Sequence, residues 1–533
     1  MLLLAGAGWA LRHGWTTVSD AALLQLRLDR MPGDLPLVGV YSRFGWFHPG
    51  PAFFYLLWPW YTLFGSSGLV VGMVVWHVVA LAVAWLLARR ISETAGGLVL
   101  LISLGLLWTR PPDQDLLPWN PFVGIVATVT LLVAAWSATE RRRGGSLLLL
   151  PLGSLLVQSH VGYLPLVGAV VIAAAVLALL PTRARPIPWL WWVIGVAISI
   201  VMWLPAVWDQ VAGSGNLMAL LRGMLRPDEP ALGSSRALEV MASAYGVPPS
   251  WLPWSSVDLP TAGATPWLAL LPLAAVIVAL GVRRGRGTHV RLLLVLGAAN
   301  AAALIGIAAI RGHAWEYLVA WVPAVVATTV GLSIWVLLDC IPGLATSEGA
   351  TTEGARRLAN MLAVAAVVVA AVVGWNWAHA PLPAAADGAA VRVLGAALAR
   401  EAIIDPATLT RGPTTDDVSA GIGQGALATA RALGSTVGPD PQIATWVGMT
   451  PPTAGGTSYS VLPWTPGFVA PAGTEVVAVY DPFTAEQWHT ITSLDERIAA
   501  PDSDQRTRYL LAVERAQVTD GQGAYVLVRT DPA

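Results

Sequence analysis

Side chains suited to acid–base and phosphate chemistry are concentrated near the start of this apolar sequence. Asp20 lies in TTVSDAALLQLRLDR, while Arg43 and His48 lie in YSRFGWFHPGPAFFY, where His-Pro-Gly-Pro leads into an aromatic run. A carboxylate can act as a general base, and guanidinium or imidazolium groups bind phosphate oxygens through charge-assisted hydrogen bonds. Whether these residues serve such chemistry depends on the side of a membrane that they face.

The composition is that of a membrane protein. Of the 533 residues, 55% are hydrophobic and only 12% are charged, and the mean hydropathy is +0.63. Soluble proteins have about twice this charge density. The net charge of -1 argues against a nucleic-acid partner, and the single cysteine, Cys340, excludes an internal disulfide and a cysteine-based metal site. Arginine supplies every fixed positive charge, and the richness in Ala, Gly and Val suggests an actinobacterial source.

The arginines predict the orientation of the chain in the membrane. Eleven apolar segments before residue 380 are long enough, or nearly so, to cross a bilayer, which takes roughly 20 residues. Arginine clusters occur at alternate connections, and by the positive-inside rule these connections are cytoplasmic. The clusters are 89–90, 140–145, 182–185, 283–291 and 356–357. The other connections and the C-terminal part are predicted to be extracytoplasmic, in a multi-pass protein of the plasma (inner) membrane.

Segment 51–65, PAFFYLLWPWYTLFG, is an exception among the apolar segments. If it crossed the bilayer, every later arginine cluster would change sides. We therefore expect an interfacial or re-entrant helix whose Trp and Tyr side chains lie in the headgroup layer. The prediction is an all-α membrane domain of about 11 transmembrane helices, residues 1–379, with a first external loop at 14–67.

The chain after residue 380 has a different composition, with frequent Asp, Glu, Thr, Gly and Pro. Helical and extended patterns alternate there, which predicts a small extracytoplasmic α/β domain over residues 380–533. The predicted helices are 389–402, 421–434 and 484–499, and the predicted strands are 475–481 and 524–529.

Polar side chains gather at the predicted outer ends of the helices. They occur in the first loop and in the stretches TRPPDQDLLPWNP (109–121), QSHVGY (158–163), WDQ (208–210) and RGHAWEY (311–317). An ionisable group near hydrocarbon costs several kcal/mol unless it is paired or hydrated. Several such groups on one side of the membrane predict a polar cavity there.

The order of these motifs resembles the start of the GT-C glycosyltransferases, the class of protein O-mannosyltransferases, aminoarabinose transferases and mycobacterial arabinofuranosyltransferases. An acid follows the first helix, and His-Pro-Gly-Pro-aromatic precedes FGSSGLVVGMVVWHVVALAVAWLLARRI. The family pattern has His-Pro-Pro and an acidic pair, whereas this chain has Gly50-Pro51 and a lone Asp20 preceded by Ser19. The resemblance covers roughly residues 15–180 and implies a GT-C membrane domain.

The resemblance also implies an activity: hexosyl or pentosyl transfer with inversion, from a polyprenyl-phosphate sugar to a glycan or lipid acceptor of the cell envelope. Asp20 is then the general base. The candidates for binding the donor phosphate are Arg43, His48, His160, Arg311 and His313. The candidates for binding the sugar or the acceptor are Tyr41, Asp113, Asp115, Trp119, Asn120, Glu316 and Tyr317. No metal-ligand spacing is present, so we predict no obligatory metal or cofactor, with a divalent cation as an unsupported alternative.

Each of these residues also has a purely structural interpretation. Asp20 could be the N-cap of a helix over 21–30, Arg43 and His48 could snorkel to the headgroups, and His160 could be a hydrogen-bonded packing residue. Arg311 could pair with Glu316 or with a headgroup. Asp113 and Asp115 could be solvated loop carboxylates, and turn formation between Pro118 and Pro121 could explain Trp119 and Asn120. Two other functions remain open at this point. A transporter or flippase of lipid-linked glycans should carry charged or broken positions at mid-membrane depth, whereas the midspan residues here are mostly Ala, Val, Leu and Trp. A non-catalytic envelope scaffold predicts that Asp20→Asn is silent.

Overall fold

The computed structural model describes most of the chain and forms two compact units. The described residues are 2–31, 33–180, 185–225, 229–252, 265–281, 286–341, 344, 353–401, 407–411, 416–449, 456–500 and 504–531. Three arginines of the predicted cytoplasmic clusters, Arg183, Arg283 and Arg284, lie outside this set. The first unit comprises Met1–Arg12 and Pro36–Ala380, and the second comprises His13–Leu35 and Pro381–Ala533.

Helices dominate the described residues. In chain order they are α1 (Ala5–His13), α2 (Asp20–Leu28), α3 (Ala52–Arg89), α4 (Glu93–Trp108), α5 (Pro112–Leu116), α6 (Gly124–Thr139), α7 (Arg143–Ser159), α8 (Leu164–Leu179), α9 (Trp189–Ala212), α10 (Asn216–Leu225), α11 (Ser234–Ala244), α12 (Leu270–Gly281), α13 (Arg286–Ala308), α14 (Val322–Asp339), α15 (Glu353–His379), α16 (Ala385–Glu401), α17 (Asp417–Ala432), α18 (Pro441–Val447), α19 (Ala485–Ala499) and α20 (Gln505–Thr519). Short 3₁₀ turns precede several of them, at Leu2–Leu4, Asn120–Val123, Val161–Tyr163, Trp267–Ala269 and Glu316–Val319.

The first unit is a bundle of apolar helices, as predicted. Each of the eleven predicted segments contains a helix. Among the described residues, seven helices, counted together with any 3₁₀ turn before them, are long and apolar enough to cross a membrane. They are Ala52–Arg89, Asn120–Thr139, Val161–Leu179, Trp189–Ala212, Gly287–Ala308, Glu316–Asp339 and Glu353–His379.

The centre of this bundle is α6. Every one of its residues is buried, and it packs against α3, α7, α8 and α14. A helix that is hydrophobic all round belongs in the interior of a bundle. Thr130, one of its few polar residues, donates a hydrogen bond from its hydroxyl to the backbone oxygen of Ala80 on α3, at 2.9 Å.

The aromatic segment that the sequence analysis interpreted as interfacial or re-entrant forms the first part of α3, which bends back at Gly65. Gly65 has φ 58° and ψ −146°, outside the helical region, and glycine adopts such a conformation at little cost. In a continuous helix Trp60 and Gly72 would be about 18 Å apart. Here a Cβ atom on Gly72 would lie 2.9 Å from the Trp60 ring. Residues 52–64 therefore lie alongside residues 66–89 instead of extending them.

The second unit is an α/β domain with a five-stranded sheet in the order β2-β1-β3-β5-β4. The strands are β1 (Thr408–Leu409), β2 (Gly438–Pro439), β3 (Ser458–Pro463), β4 (Thr474–Tyr480) and β5 (Tyr525–Thr530). β1 pairs in parallel with β2 and β3, whereas β5 pairs antiparallel with β3 and β4. Buried side chains of α2, α16 and α17 pack on this sheet in one hydrophobic core. By these contacts residues 13–35 group with the second unit, whereas the sequence analysis assigned 14–35 to the first external loop of the membrane domain.

Candidate functional site

A buried ion pair lies in the second predicted external stretch. Arg110 Nε donates to Asp115 Oδ1 at 3.0 Å, and the two side chains are only 2% and 0% exposed. The short helix α5 turns the chain so that Asp115 faces back toward Arg110, whose guanidinium also covers the Phe122 ring at 4.8 Å. Burial raises the pKa of Asp115 to about 7, although the charge of Arg110 favours the carboxylate. Asp113, on the same helix, is exposed.

Side chains from the last predicted external turn extend this buried cluster. Glu316 is 9% exposed and interacts electrostatically with Arg110. Its neighbour Tyr317 packs against Trp119, with ring centroids 4.6 Å apart. Asn120 is buried and donates from its amide to the Ser159 backbone oxygen at 2.8 Å. The structure therefore brings four of the predicted sugar- or acceptor-binding residues to the same place as Asp115.

Two predicted phosphate ligands, His48 and His160, lie against each other. Their ring centroids are 4.5 Å apart. Nδ1 of His48 accepts a hydrogen bond from Val161 N, and Nδ1 of His160 accepts one from Gly162 N, both at 3.2 Å. A ring nitrogen that accepts carries no proton, so each ring is the neutral form with its proton on Nε2. Burial lowers the pKa of both, that of His160 to about 4.

The predicted cationic residues meet at the turn of 311–313. Nη2 of Arg43 donates to the backbone oxygens of Arg311 at 3.2 Å and of His313 at 2.9 Å. Nη1 of Arg311 donates to the Glu229 backbone oxygen at 3.4 Å. Among the described ion pairs, none joins Arg311 to Glu316, so that structural alternative is wrong for this conformation.

The hairpin that carries Tyr41, Arg43 and His48 is held by a residue that the sequence analysis did not single out. Tyr41 pairs with Phe47 in this hairpin, with ring centroids 5.2 Å apart. The side-chain amide of Asn216 accepts from Phe47 N at 2.8 Å and donates to Phe47 O at 3.0 Å. This two-way pairing imitates a backbone partner and fixes the hairpin. Only the position of Asn216 next to the predicted WDQ stretch could have drawn attention to it.

A half-open apolar groove beside Glu316 encloses about 310 Å³ when the open space at its mouth is included. Helix α11, the turn after it and the start of α14 form its walls. The lining residues are Val240, Ala244, Ser250, Trp251, Glu316, Val319, Val322 and Pro323. One acidic group thus stands at the edge of a largely hydrocarbon-lined space.

Asp20 belongs to the second unit. It is exposed and is the first residue of α2, whereas Ser19 occupies the N-cap position. The interpretation of Asp20 as the N-cap is therefore wrong, although a carboxylate in the first turn still favours the helix dipole. Ser19 N donates to the Gly421 backbone oxygen of α17 at 3.1 Å, which anchors the start of α2. Among the described residues, no group of three or more potential metal ligands is present.

Comparisons with known proteins identify the fold. No family model and no curated protein matches the sequence. ArnT from Cupriavidus metallidurans, in a crystal structure with undecaprenyl phosphate, matches with a TM-score of 0.51 and 13% identity, over 90% of this chain and 94% of that one. The oligosaccharyltransferase AglB from Archaeoglobus fulgidus, in complex with an inhibitory peptide and a dolichol-phosphate, matches with a TM-score of 0.43 and 12% identity, over 99% and 88% of the two chains. The chain therefore shares the fold of ArnT.

Proposed function

We propose that this protein is an inverting membrane glycosyltransferase that moves a sugar from a polyprenyl-phosphate donor to a cell-envelope acceptor outside the cytoplasm. One observation supports this most strongly. Residues from four separate stretches, 41–48, 110–120, 158–163 and 311–317, meet in the first unit, beside an apolar groove. This combination offers cations, neutral donors and aromatic faces for a sugar phosphate next to hydrocarbon surface for a lipid chain.

In this proposal the acceptor hydroxyl oxygen attacks the anomeric carbon while Asp20 takes the hydroxyl proton. The bond between the anomeric carbon and the phosphate oxygen breaks, so the sugar inverts and the polyprenyl phosphate leaves with both bonding electrons. Negative charge grows on the leaving phosphate in the transition state, where fixed donors are worth most. Arg43 and Arg311 supply positive charge, and the Nε2–H groups of His48 and His160 supply neutral hydrogen bonds.

The remaining site residues would hold the sugar and the acceptor. Trp119 and Tyr317 form an aromatic surface that suits the apolar face of a sugar ring. Tyr41 lies in the hairpin whose Arg43 contacts the backbone of His313. Asn120 and Glu316 are the chain neighbours of Trp119 and Tyr317 and offer hydrogen-bonding groups. Because Asp115 is buried and paired with Arg110, it would position other groups and would not touch the acceptor. Asp113 is exposed and is the better candidate for direct contact with the acceptor.

The test is transfer from radiolabelled polyprenyl-phosphate mannose and polyprenyl-phosphate arabinofuranose by the full-length protein in proteoliposomes. Asp20→Asn should reduce the rate by roughly 10²–10⁴-fold, the usual contribution of a general base. Arg311→Ala should cost roughly 10- to 100-fold, as expected for losing a hydrogen bond to a charged group worth about 1.5–3 kcal/mol.

Asp29→Asn is the matched control, because Asp29 is the exposed C-cap of the same helix α2. It should leave transfer unchanged. Full transfer by Asp20→Asn would remove Asp20 as the base. Movement of an intact lipid-linked sugar across the vesicle membrane without transfer would favour a flippase instead.

A further inference from the structure

The second unit contains a cleft that the proposed chemistry does not use. It encloses about 380 Å³ when the open space at its mouth is included. Residues after β1 and β2 form its rim and the first turns of α17 form its wall. The lining residues are Leu409, Thr410, Arg411, Ser419, Ala420, Gly423, Gln424, Asp440, Gln442, Ile443, Trp446 and Val461.

The topology of the sheet explains why a cleft forms at this edge. The chain runs β1-α17-β2-α18-β3, and the three strands are parallel. Their carboxyl ends therefore face the same edge, which is where open α/β sheets bind ligands. Gly423 forms part of the wall, and a Cβ atom there would make only ordinary contacts, at 3.5 Å with Leu409 and 3.8 Å with Val461.

Two buried polar groups in the cleft wall lack partners. Ser419 is fully buried and Gln424 is 8% exposed. Neither the hydroxyl of Ser419 nor Oε1 of Gln424 has a hydrogen-bond partner within the described part of the chain. A buried polar group left unpaired costs about 1–3 kcal/mol. Such groups are the expected signature of a site whose hydrogen bonds are completed by a bound molecule.

Both charged side chains that line the cleft are held by contacts within the protein. Arg411 pairs with Asp417 at 2.6 Å through its guanidinium. The carboxylate of Asp440 accepts from Ile443 N at 2.8 Å and from Arg411 N at 3.3 Å. Among the described lining residues, the only positive charge is already paired, which disfavours an anionic ligand, and the Asp440 carboxylate can accept hydrogen bonds from hydroxyls. The cleft offers hydrogen-bonding oxygens and amides beside the half-buried indole of Trp446.

We propose that this cleft binds a neutral sugar ring of the glycan acceptor; the acceptor assignment rests on the proposed transferase function. The hydroxyls of the ring would complete the hydrogen bonds of Ser419 and Gln424, and its apolar face would lie against Trp446. The same helix α17 contacts the segment that carries Asp20, because Ser19 N bonds to Gly421 O on it. A sugar held in this cleft is thus bound to the helix that anchors the proposed base.

The test is saturation-transfer NMR of the full chain in lipid nanodiscs, with methyl α-mannopyranoside and methyl α-arabinofuranoside as probes. At least one probe should give a signal with the wild type. Gly423→Leu, which fills the cleft, and Trp446→Ala should each lower that signal at least fivefold. Trp488→Ala is the matched control, because Trp488 is another half-buried tryptophan of this unit and bonds to Asp481 outside the cleft. It should keep the full signal.

Gln424→Leu separates a ligand-binding role from a structural one. Removing an unpaired buried acceptor should leave the melting temperature equal or higher, while the NMR signal falls at least fivefold. A fall in melting temperature with an unchanged signal would overturn the proposal. So would equal signals from wild type and from a folded Gly423→Leu variant, or no signal from either probe.

The same variants distinguish this proposal from the proposed function. If the protein is a transferase, Gly423→Leu should raise the KM for a glycan acceptor while leaving hydrolysis of the polyprenyl-phosphate sugar by water unchanged. Probe binding that depends on the cleft, in a protein without any transfer or donor hydrolysis, would support the cleft and refute the transferase. Transfer with an unchanged acceptor KM would refute the cleft alone.

Discussion

Replacing Arg110 or Asp115 should destabilise the first unit, and the two replacements should cost different amounts of free energy. Asp115→Asn keeps the size of the side chain but leaves the guanidinium buried without its countercharge. Arginine cannot lose its proton in a protein, so the buried guanidinium cannot become neutral. Breaking a buried pair by removing one partner costs roughly 3–5 kcal/mol. We expect a cost of that size, because the two side chains are 2% and 0% exposed.

The opposite change, Arg110→Met, should cost less and should depend on pH. Burial already raises the pKa of Asp115 to about 7, and Arg110 opposes that rise. Without Arg110 the pKa of Asp115 rises further, so the carboxyl can take up a proton and become neutral. The Arg110→Met variant should therefore be more stable at pH 6 than at pH 8. The stability of the Asp115→Asn variant itself should not change between these two pH values through this site, because asparagine does not titrate.

The assay is thermal unfolding of the full chain in detergent at pH 6 and pH 8. On a scale of about 2–4 °C per kcal/mol for a medium-sized domain, and less for a larger one, Asp115→Asn should lower the melting temperature by roughly 5–10 °C. The double variant Arg110→Met/Asp115→Leu should recover most of this loss, since a well-packed apolar pair often replaces a buried ion pair without cost. A silent Asp115→Asn, or an Arg110→Met variant that is less stable at pH 6 than at pH 8, would refute the reasoning.

Two further predictions use the same unfolding assay. Gly425→Ala should destabilise the second unit by roughly 1–2 kcal/mol. The added Cβ would lie 2.7 Å from the backbone oxygen of Thr17. The cost of such overpacking, about 1–3 kcal/mol, is larger than the gain from the better helix propensity of Ala. Gly423→Ala on the same helix meets only ordinary contacts and should stabilise by up to about 1 kcal/mol, so equal effects at the two positions would contradict this account. Since burial lowers the pKa of His160 from 6.5 to about 4, the unfolded chain protonates first on acidification, and stability should fall between pH 6.5 and pH 4 by up to 1.36 kcal/mol per pH unit. His160→Gln should show a shallower fall, and an unchanged slope would mean that the ring is charged in the folded protein.

The helices in the eleven apolar segments of the first unit could be predicted because these segments are apolar and are bounded by arginines or by proline and glycine. The helices α5, α10 and α11 lie in predicted external loops and were not predicted. The same information predicted that 51–65 does not cross the bilayer, since a crossing would have contradicted five arginine clusters. The bend at Gly65 itself was not predicted. The strands of the second unit were harder. β4 and β5 have six or seven residues and a clear extended pattern, whereas β1 and β2 have two residues each and leave no periodic signal.

The candidate site was predictable by residue type but not by partner. The polar stretches were visible as scarce charges at helix ends, yet no sequence pattern indicates that Arg110 pairs with Asp115 of α5. The amide bridge from Asn216 to Phe47 spans 169 positions, a separation over which no sequence pattern acts. The grouping of residues 13–35 with the second unit was missed for a related reason: the apolar positions Ala22 and Leu26 that join its core could equally have packed in a loop near the membrane.

The arrangement of the histidines changes which residues supply positive charge to the phosphate in the proposed chemistry. The sequence suggested imidazolium cations for the phosphate, but Nδ1 of both His48 and His160 accepts a backbone N–H, which requires neutral rings. Positive charge at the leaving phosphate must then come from Arg43 and Arg311, since a guanidinium keeps its proton at any physiological pH. Neutral Nε2–H donors add hydrogen bonds without adding repulsion between two adjacent cations. Under the proposed function, the rate should therefore stay flat through pH 6–8 as far as these two histidines are concerned, and any change there must arise from other groups.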